Sequence, residues 1–149
     1  MNKKFLFIKI IIIYAFLIFS GYTKESNYLT EGIDLFNKKE FDKSKILFER
    51  DLVFDPKSEK SYLYLAKIFN KKNNDEEEEF NLNNVLLLNP KNDEAIYMLT
   101  LLKIKQSDYK IAKDLIDRFG LVCIDFCSKK SEIEEKLQKI IPENAEEKN

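Results

Sequence analysis

The densest reactive or ligating side chains in the sequence are Cys123 with Cys127, and a run of five carboxylates from Asp75 to Glu79. A cysteine pair can close a disulfide, ligate a metal or supply a nucleophile. The spacing of four is not a CxxC redox motif, and no histidine or second cysteine pair completes a zinc site. Within one helix a spacing of four gives poor disulfide geometry. The expected state is therefore two small buried apolar side chains, with an intrachain or intermolecular disulfide as the alternative in an oxidising compartment. The carboxylates fall at the start of a predicted helix, where the macrodipole favours negative charge. A solvated helix start is expected there, because the alternating oxygens of a calcium loop are missing. The chain has no His, so it lacks the usual base near neutral pH and the commonest metal ligand. There is no glycine-rich phosphate loop. No catalytic, cofactor-binding or metal-binding residue is assigned. A small enzyme working through carboxylates, Lys or Tyr remains only as an alternative.

Non-catalytic work places the weight on how the chain is built. Of its 149 residues, 44% are apolar and only three are Gly and three Pro. That scarcity argues against a turn-rich β sandwich or barrel. Abundant Lys and Glu suit exposed helix positions. The net charge is −1, and Lys3, Lys4 and Lys9 are the only charges before Thr23, so the remainder carries 22 basic and 26 acidic residues. A nucleic-acid partner, which needs a dense basic face, is not expected.

The N-terminus is unlike the rest. Lys3 and Lys4 precede a run from Phe5 to Phe19 that is apolar except for Lys9. A basic start followed by an apolar stretch is the pattern of a secretory signal or an N-terminal anchor. The expectation is a signal peptide or anchor over residues 1–21 and an exported, envelope or secreted location. Membrane attachment through residues 5–21 follows if the segment is retained.

The rest repeats itself. "FDPKSEKSYLYLA" from Phe54 and "LNPKNDEAIYMLT" from Leu88 start 34 residues apart, as do Pro56 and Pro90. Tyr28, Gly32, Leu35 and Phe48 precede Pro56 as Tyr62, Ala66, Phe69 and Leu82 precede Pro90. Over two periods, Phe41 and Ser44 correspond to Tyr109 and Ala112. This pattern resembles the tetratricopeptide repeat (TPR), a 34-residue helix–turn–helix unit. Three units are expected over residues 25–58, 59–92 and 93–126, each of two antiparallel helices. The helices are read at 26–37, 41–54, 59–71, 75–88, 93–105 and 108–119, with Gly120 at a helix end. Small residues let paired helices approach, and the proline separates units. One unit cannot bury its apolar face alone, so units stack. The pattern departs at Glu31, Asp75, Glu78 and Lys103, and Glu78 implies either a shifted or a loosely packed second helix in unit 2. A capping helix over 128–141 is expected, begun by Ser128 or Ser131 and striped by Ile133, Leu137, Ile140 and Ile141. Residues 142–149 should fray. The fold class is thus all-α, a TPR-like solenoid with a C-terminal cap and an N-terminal apolar signal or anchor.

In TPR proteins the first helix of each unit lines a concave groove for peptides or helices. Carried over, the resemblance implies Leu29, Ile33 and Phe36 in unit 1. Unit 2 would supply Lys60, Leu63, Lys67, Asn70 and Lys71, and unit 3 Tyr97, Leu101 and Ile104. Such a face, apolar at both ends and basic between, suits an apolar segment carrying an acidic group. The version that clamps a chaperone's C-terminal carboxylate needs Lys and Asn where this chain has Leu29 and Ile33. The implied role is a protein- or peptide-binding adaptor or assembly factor. A self-associating structural subunit of the envelope is the alternative.

Overall fold

The computed structural model describes residues 27–141. The N-terminal apolar segment and the C-terminal tail lie outside them. Six helices form three antiparallel pairs: α1 (Asn27–Asn37) with α2 (Phe41–Phe54), α3 (Glu59–Lys71) with α4 (Asp75–Leu88), and α5 (Asp93–Lys105) with α6 (Tyr109–Val122). A 3-10 turn (Cys127–Lys129) leads into α7 (Lys130–Ile140), which packs on α5 and α6. The described residues contain no strand and no helix long and apolar enough to cross a membrane.

Local chemistry explains the period. Asp55 and Asn89 each accept a hydrogen bond from the backbone N–H two residues on, Lys57 at 3.0 Å and Lys91 at 3.1 Å. These Asx turns, with proline at their centre, reverse the chain between units. Asn74, Asn92 and Asp108 cap α4, α5 and α6 by accepting from the third residue on, which satisfies a free N–H of the first turn.

Within each unit the turn between helices contains one residue with positive φ: Lys39 (62°), Asn73 (52°) and Ser107 (61°). These are also spaced by 34. A left-handed conformation costs a non-glycine residue about 1–2 kcal/mol. Glycine there loses about 0.5–1 kcal/mol to chain entropy. The pair Lys39→Gly and Ser107→Gly, both on exposed turns, should therefore stabilise the fold by about 1 kcal/mol. A calorimetric scan should show a rise of about 4 °C.

The core is a column between the helix pairs. Phe48, Leu65, Ile68 and Phe69 fill the first part, and Leu82, Val85, Ile96, Leu99, Ile116 and Phe119 belong to the second. In unit 1 the approach is very close. A Cβ on Gly32 would lie 2.7 Å from the ring of Phe48, and Ser44 Oγ donates to the Gly32 carbonyl at 2.8 Å.

The departures from the repeat pattern are absorbed by polar pairing. α4 keeps its register, with Leu82 and Val85 wholly buried, so neither a shift nor loose packing occurs. Glu78 is buried against α3, where Asn70 Nδ2 donates to both its oxygens at 3.0 and 3.1 Å. Lys103 buries its stem and places its ammonium on Glu79 at 2.5 Å. Lys105 pairs with Asp75, also at 2.5 Å. The acidic run is thus more than a solvated helix start: Glu76 and Glu77 are exposed, while the other three carboxylates tie α4 to α3 and α5.

Burial raises the Glu78 carboxyl above the ordinary carboxylate range, against the opposing Asn70 hydrogen bond. The folded state then holds this proton to higher pH than the unfolded chain. Stability from this group is present at acid pH and falls as pH rises past the ordinary carboxylate value. Glu78→Gln should gain about 1 kcal/mol at neutral pH and almost nothing near pH 4. Melting curves at the two pH values measure the difference.

The C-terminal part differs most from expectation. α6 continues through Gly120 to Val122, because Phe119, on the last turn, is fully buried and carries the helix onward. Cys123 and Cys127 are joined in a disulfide, and Cys127 is exposed. The expectation of two buried thiols fails because the helix ends at Val122. Free of helical geometry, the chain turns and brings the two Cα atoms to 5.1 Å, within disulfide reach. No serine caps α7; the 3-10 turn feeds it directly, with Lys129 at the N-cap position. Ile133 and Leu137 are buried and Ile141 packs on the core, but Ile140 is exposed.

Candidate functional site

The first helices of the units, α1, α3 and α5, form one row, and α7 extends it beside α5. Leu29, Ile33 and Phe36 are half-buried on α1 and pack on the first core cluster. Phe36 meets Phe41 and Tyr64 edge to face, with centroids 5.4 and 5.0 Å apart. Tyr64 also stacks on Phe48 at 5.0 Å. Leu63, Tyr97 and Leu101 are half-buried over the second cluster.

Three residues read from the sequence as groove-lining do other work. Ile104 is 6% exposed and belongs to the core. Asn70 turns toward α4, where it satisfies Glu78. Tyr97 donates its hydroxyl to Glu132 of α7 at 3.0 Å and packs beside Phe119 and Phe126. Glu132 is held down to about 2 by hydrogen bonds from Lys129, Lys136 and Tyr97. The cap thus occupies the C-terminal end of the row.

The basic middle is also partly spent. Lys67 sits 4.9 Å over the Tyr64 ring and pairs with Glu94 of α5 at 2.9 Å. Lys60 and Lys71 are exposed and have no ion-pair partner among the described residues. They stand at opposite ends of α3, about 16 Å apart along its axis. No single acidic group bridges them. What remains open is the N-terminal end: Leu29, Ile33, Phe36 and Leu63, with Lys60 and Lys71 at its margins.

Sequence reading missed Tyr64 and Glu94. Glu94 offered only an opposite charge on the first helix of the next unit, 27 residues from Lys67. Tyr64 had no comparable signal, because Tyr62 two residues earlier satisfied the repeat pattern. The loops were missed too. Glu59 accepts from Asn89 at 3.0 Å and from Asn92 at 2.6 Å. Asp93, 34 residues on, accepts from the N–H groups of Ile124 and Asp125 at 2.7 Å and Phe126 at 3.0 Å. The first carboxylate of each later unit therefore grips the loop that follows that unit. Partial burial raises the Asp93 carboxyl, but backbone donors at Phe126, Ile124, Asp125 and Glu94 outweigh it and leave it below its usual range. Among the described residues no group of three or more His, Cys, Asp or Glu is placed to hold a metal ion.

No family model matches the sequence, and no curated protein does. Solved structures are similar in fold. The TPR2B domain of yeast Sti1, in a complex with pHsp70, superposes with a TM-score of 0.68 at 15% identity over 78% of this chain and 97% of that one. The first TPR of Spaghetti (RPAP3), bound to the HSP90 peptide SRMEEVD, gives 0.70 at 14% identity over 80% and 94%. The Sgt2 TPR domain from Aspergillus fumigatus gives 0.65 at 20% identity over 79% and 80%. The chain has a TPR-like fold of several helical repeats.

Proposed function

We propose that this protein is a non-catalytic interaction adaptor, exported or membrane-tethered, that takes an apolar partner segment on the α1–α3 end of its row of first helices. The observation that carries this is that Leu29, Ile33, Phe36 and Leu63, on the first helices of units 1 and 2, each keep part of their apolar side chain exposed. Such a patch suits a helix or extended segment with spaced apolar anchors. The Spaghetti domain's complex with a peptide, and the Sti1 domain's with pHsp70, support the use of this fold for binding protein segments. The acidic peptide SRMEEVD of the Spaghetti complex is not the kind of ligand proposed here. Leu29 and Ile33 stand where carboxylate recognition needs Lys and Asn, and Lys67 is neutralised by Glu94. The N-terminal pattern of Lys3, Lys4 and the apolar run supports export or tethering. The Cys123–Cys127 disulfide suits an oxidising compartment.

The test is affinity capture from envelope extract with the full chain. A Leu29→Asp, Leu63→Asp variant is compared under conditions where both melt cooperatively. A partner bound by the parent and reduced at least tenfold in the variant is the expected result. Equal capture by both would remove the groove from consideration. Capture of nothing but a second copy would favour the self-associating subunit.

A further inference from the structure

The second helices carry an apolar ladder that the groove does not use. Val53, Leu87 and Leu121 occupy the same position of successive units, 34 residues apart, and are 75%, 79% and 87% exposed. Phe54 and Ile124 widen the ladder at its two ends. It runs along the edge where second helices end and the inter-unit turns lie. Lys57 and Lys91, also 34 apart, stand exposed on those turns.

The chain enters the fold on this same edge. α1 begins at Asn27, and Tyr28 stacks on Phe54 with ring centroids 5.7 Å apart. Only residues 20–26 separate α1 from the apolar run that ends at Phe19, and seven residues reach at most about 25 Å. If that run is held in a bilayer, this edge, where α1 begins, is the part of the domain nearest to it. Bulky apolar tips interleaved with lysines then meet the acyl boundary and the phosphates together. We infer that the Val53–Leu87–Leu121 edge rests on the lipid surface, leaving the row of first helices free for a partner. This inference depends on the tethering proposed above.

The chain has no Trp, so one introduced indole reports alone. Leu87→Trp and, at the far end of the same helix, Glu76→Trp are each placed in the full chain. Both proteins are reconstituted into phosphatidylcholine vesicles with plain or brominated acyl chains and floated on a gradient. Brominated lipid should cut the emission of the Leu87→Trp protein at least about twofold and leave the Glu76→Trp signal nearly unchanged. A Leu87→Trp chain that floats but stays unquenched overturns the lipid contact and leaves tethering intact. Equal quenching at both positions also overturns it, since no edge is then distinguished. A chain that does not float removes the tethering proposal and this inference with it. An emission blue shift of the Leu87→Trp protein that grows with protein concentration in detergent alone assigns the edge to a second copy and overturns the inference. Should Leu87→Trp lose its helical circular dichroism, Val53→Trp takes its place.

Discussion

Asp93→Ala is expected to lower the melting temperature by about 10 °C. The Asp93 carboxylate gathers three backbone N–H groups of the loop before α7. Hydrogen bonds to an ionised acceptor contribute about 1.5–3 kcal/mol each when well buried. This site is half in water, so the three together are discounted to about 2–3 kcal/mol. For a domain of this size that is roughly 10 °C. The pH dependence has a definite sign. The folded-state value lies below the ordinary one, so the contribution is complete above the ordinary carboxylate range. It is lost as pH falls through the folded value. Parent and variant should converge only at acid pH below that folded value.

The Cys123–Cys127 bond closes the same loop with a sequence separation of 4. Chain-entropy bookkeeping for so short a loop gives about 2 kcal/mol. The two restraints act on one element, so their losses should not add. Reduction alone or Asp93→Ala alone should leave α7 seated through Ile133 and Leu137. Reduction of the variant should release it. Hydrogen exchange across residues 130–140 reads this directly: protection lost only in the reduced variant is expected. Loss on reduction of the parent would show that Asp93 does not hold the loop.

Gly32→Ala should destabilise the fold by about 1 kcal/mol, although alanine is the better helix former by about 1 kcal/mol. The added methyl would sit 2.7 Å from the fully buried ring of Phe48, and overfilling a packed core costs about 1–3 kcal/mol. Unit 2 solves the same contact with the opposite sizes, Ala66 and Leu82 in place of Gly32 and Phe48. Gly32→Ala with Phe48→Leu should therefore recover most of the loss. Urea denaturation of the two single variants and the double variant closes the cycle. A double variant as unstable as the sum of the singles would refute size complementarity at this contact.

Much of the fold was legible because its rules are local and repeat every 34 residues. The helix pairs, the Asx-Pro turns and the small residues at Gly32, Ser44, Ala66 and Ala112 each follow from chemistry within a few positions in sequence. The left-handed residues in the intra-unit turns were not legible, since Lys39, Asn73 and Ser107 share no residue type and none is glycine. The groove was legible as a set of positions but not as a surface. Asn70 and Glu78 lie eight residues apart on different helices, and nothing local says that their side chains meet. The same holds for Lys67 with Glu94 and for Tyr97 with Glu132. Each pairing removes a residue from the apparent site.

The sequence by itself determined an all-helical chain of repeating pairs and a face of first helices, because periodicity and turn chemistry are written at short range. Only the tertiary structure decided which parts of that face are open and how the acidic run is neutralised. Tertiary contacts also set where α6 ends and what Cys123 and Cys127 become. Those outcomes depend on which polar groups are brought within hydrogen-bond reach once the helices pack. A buried carboxylate or ammonium must find a partner there or lose its charge.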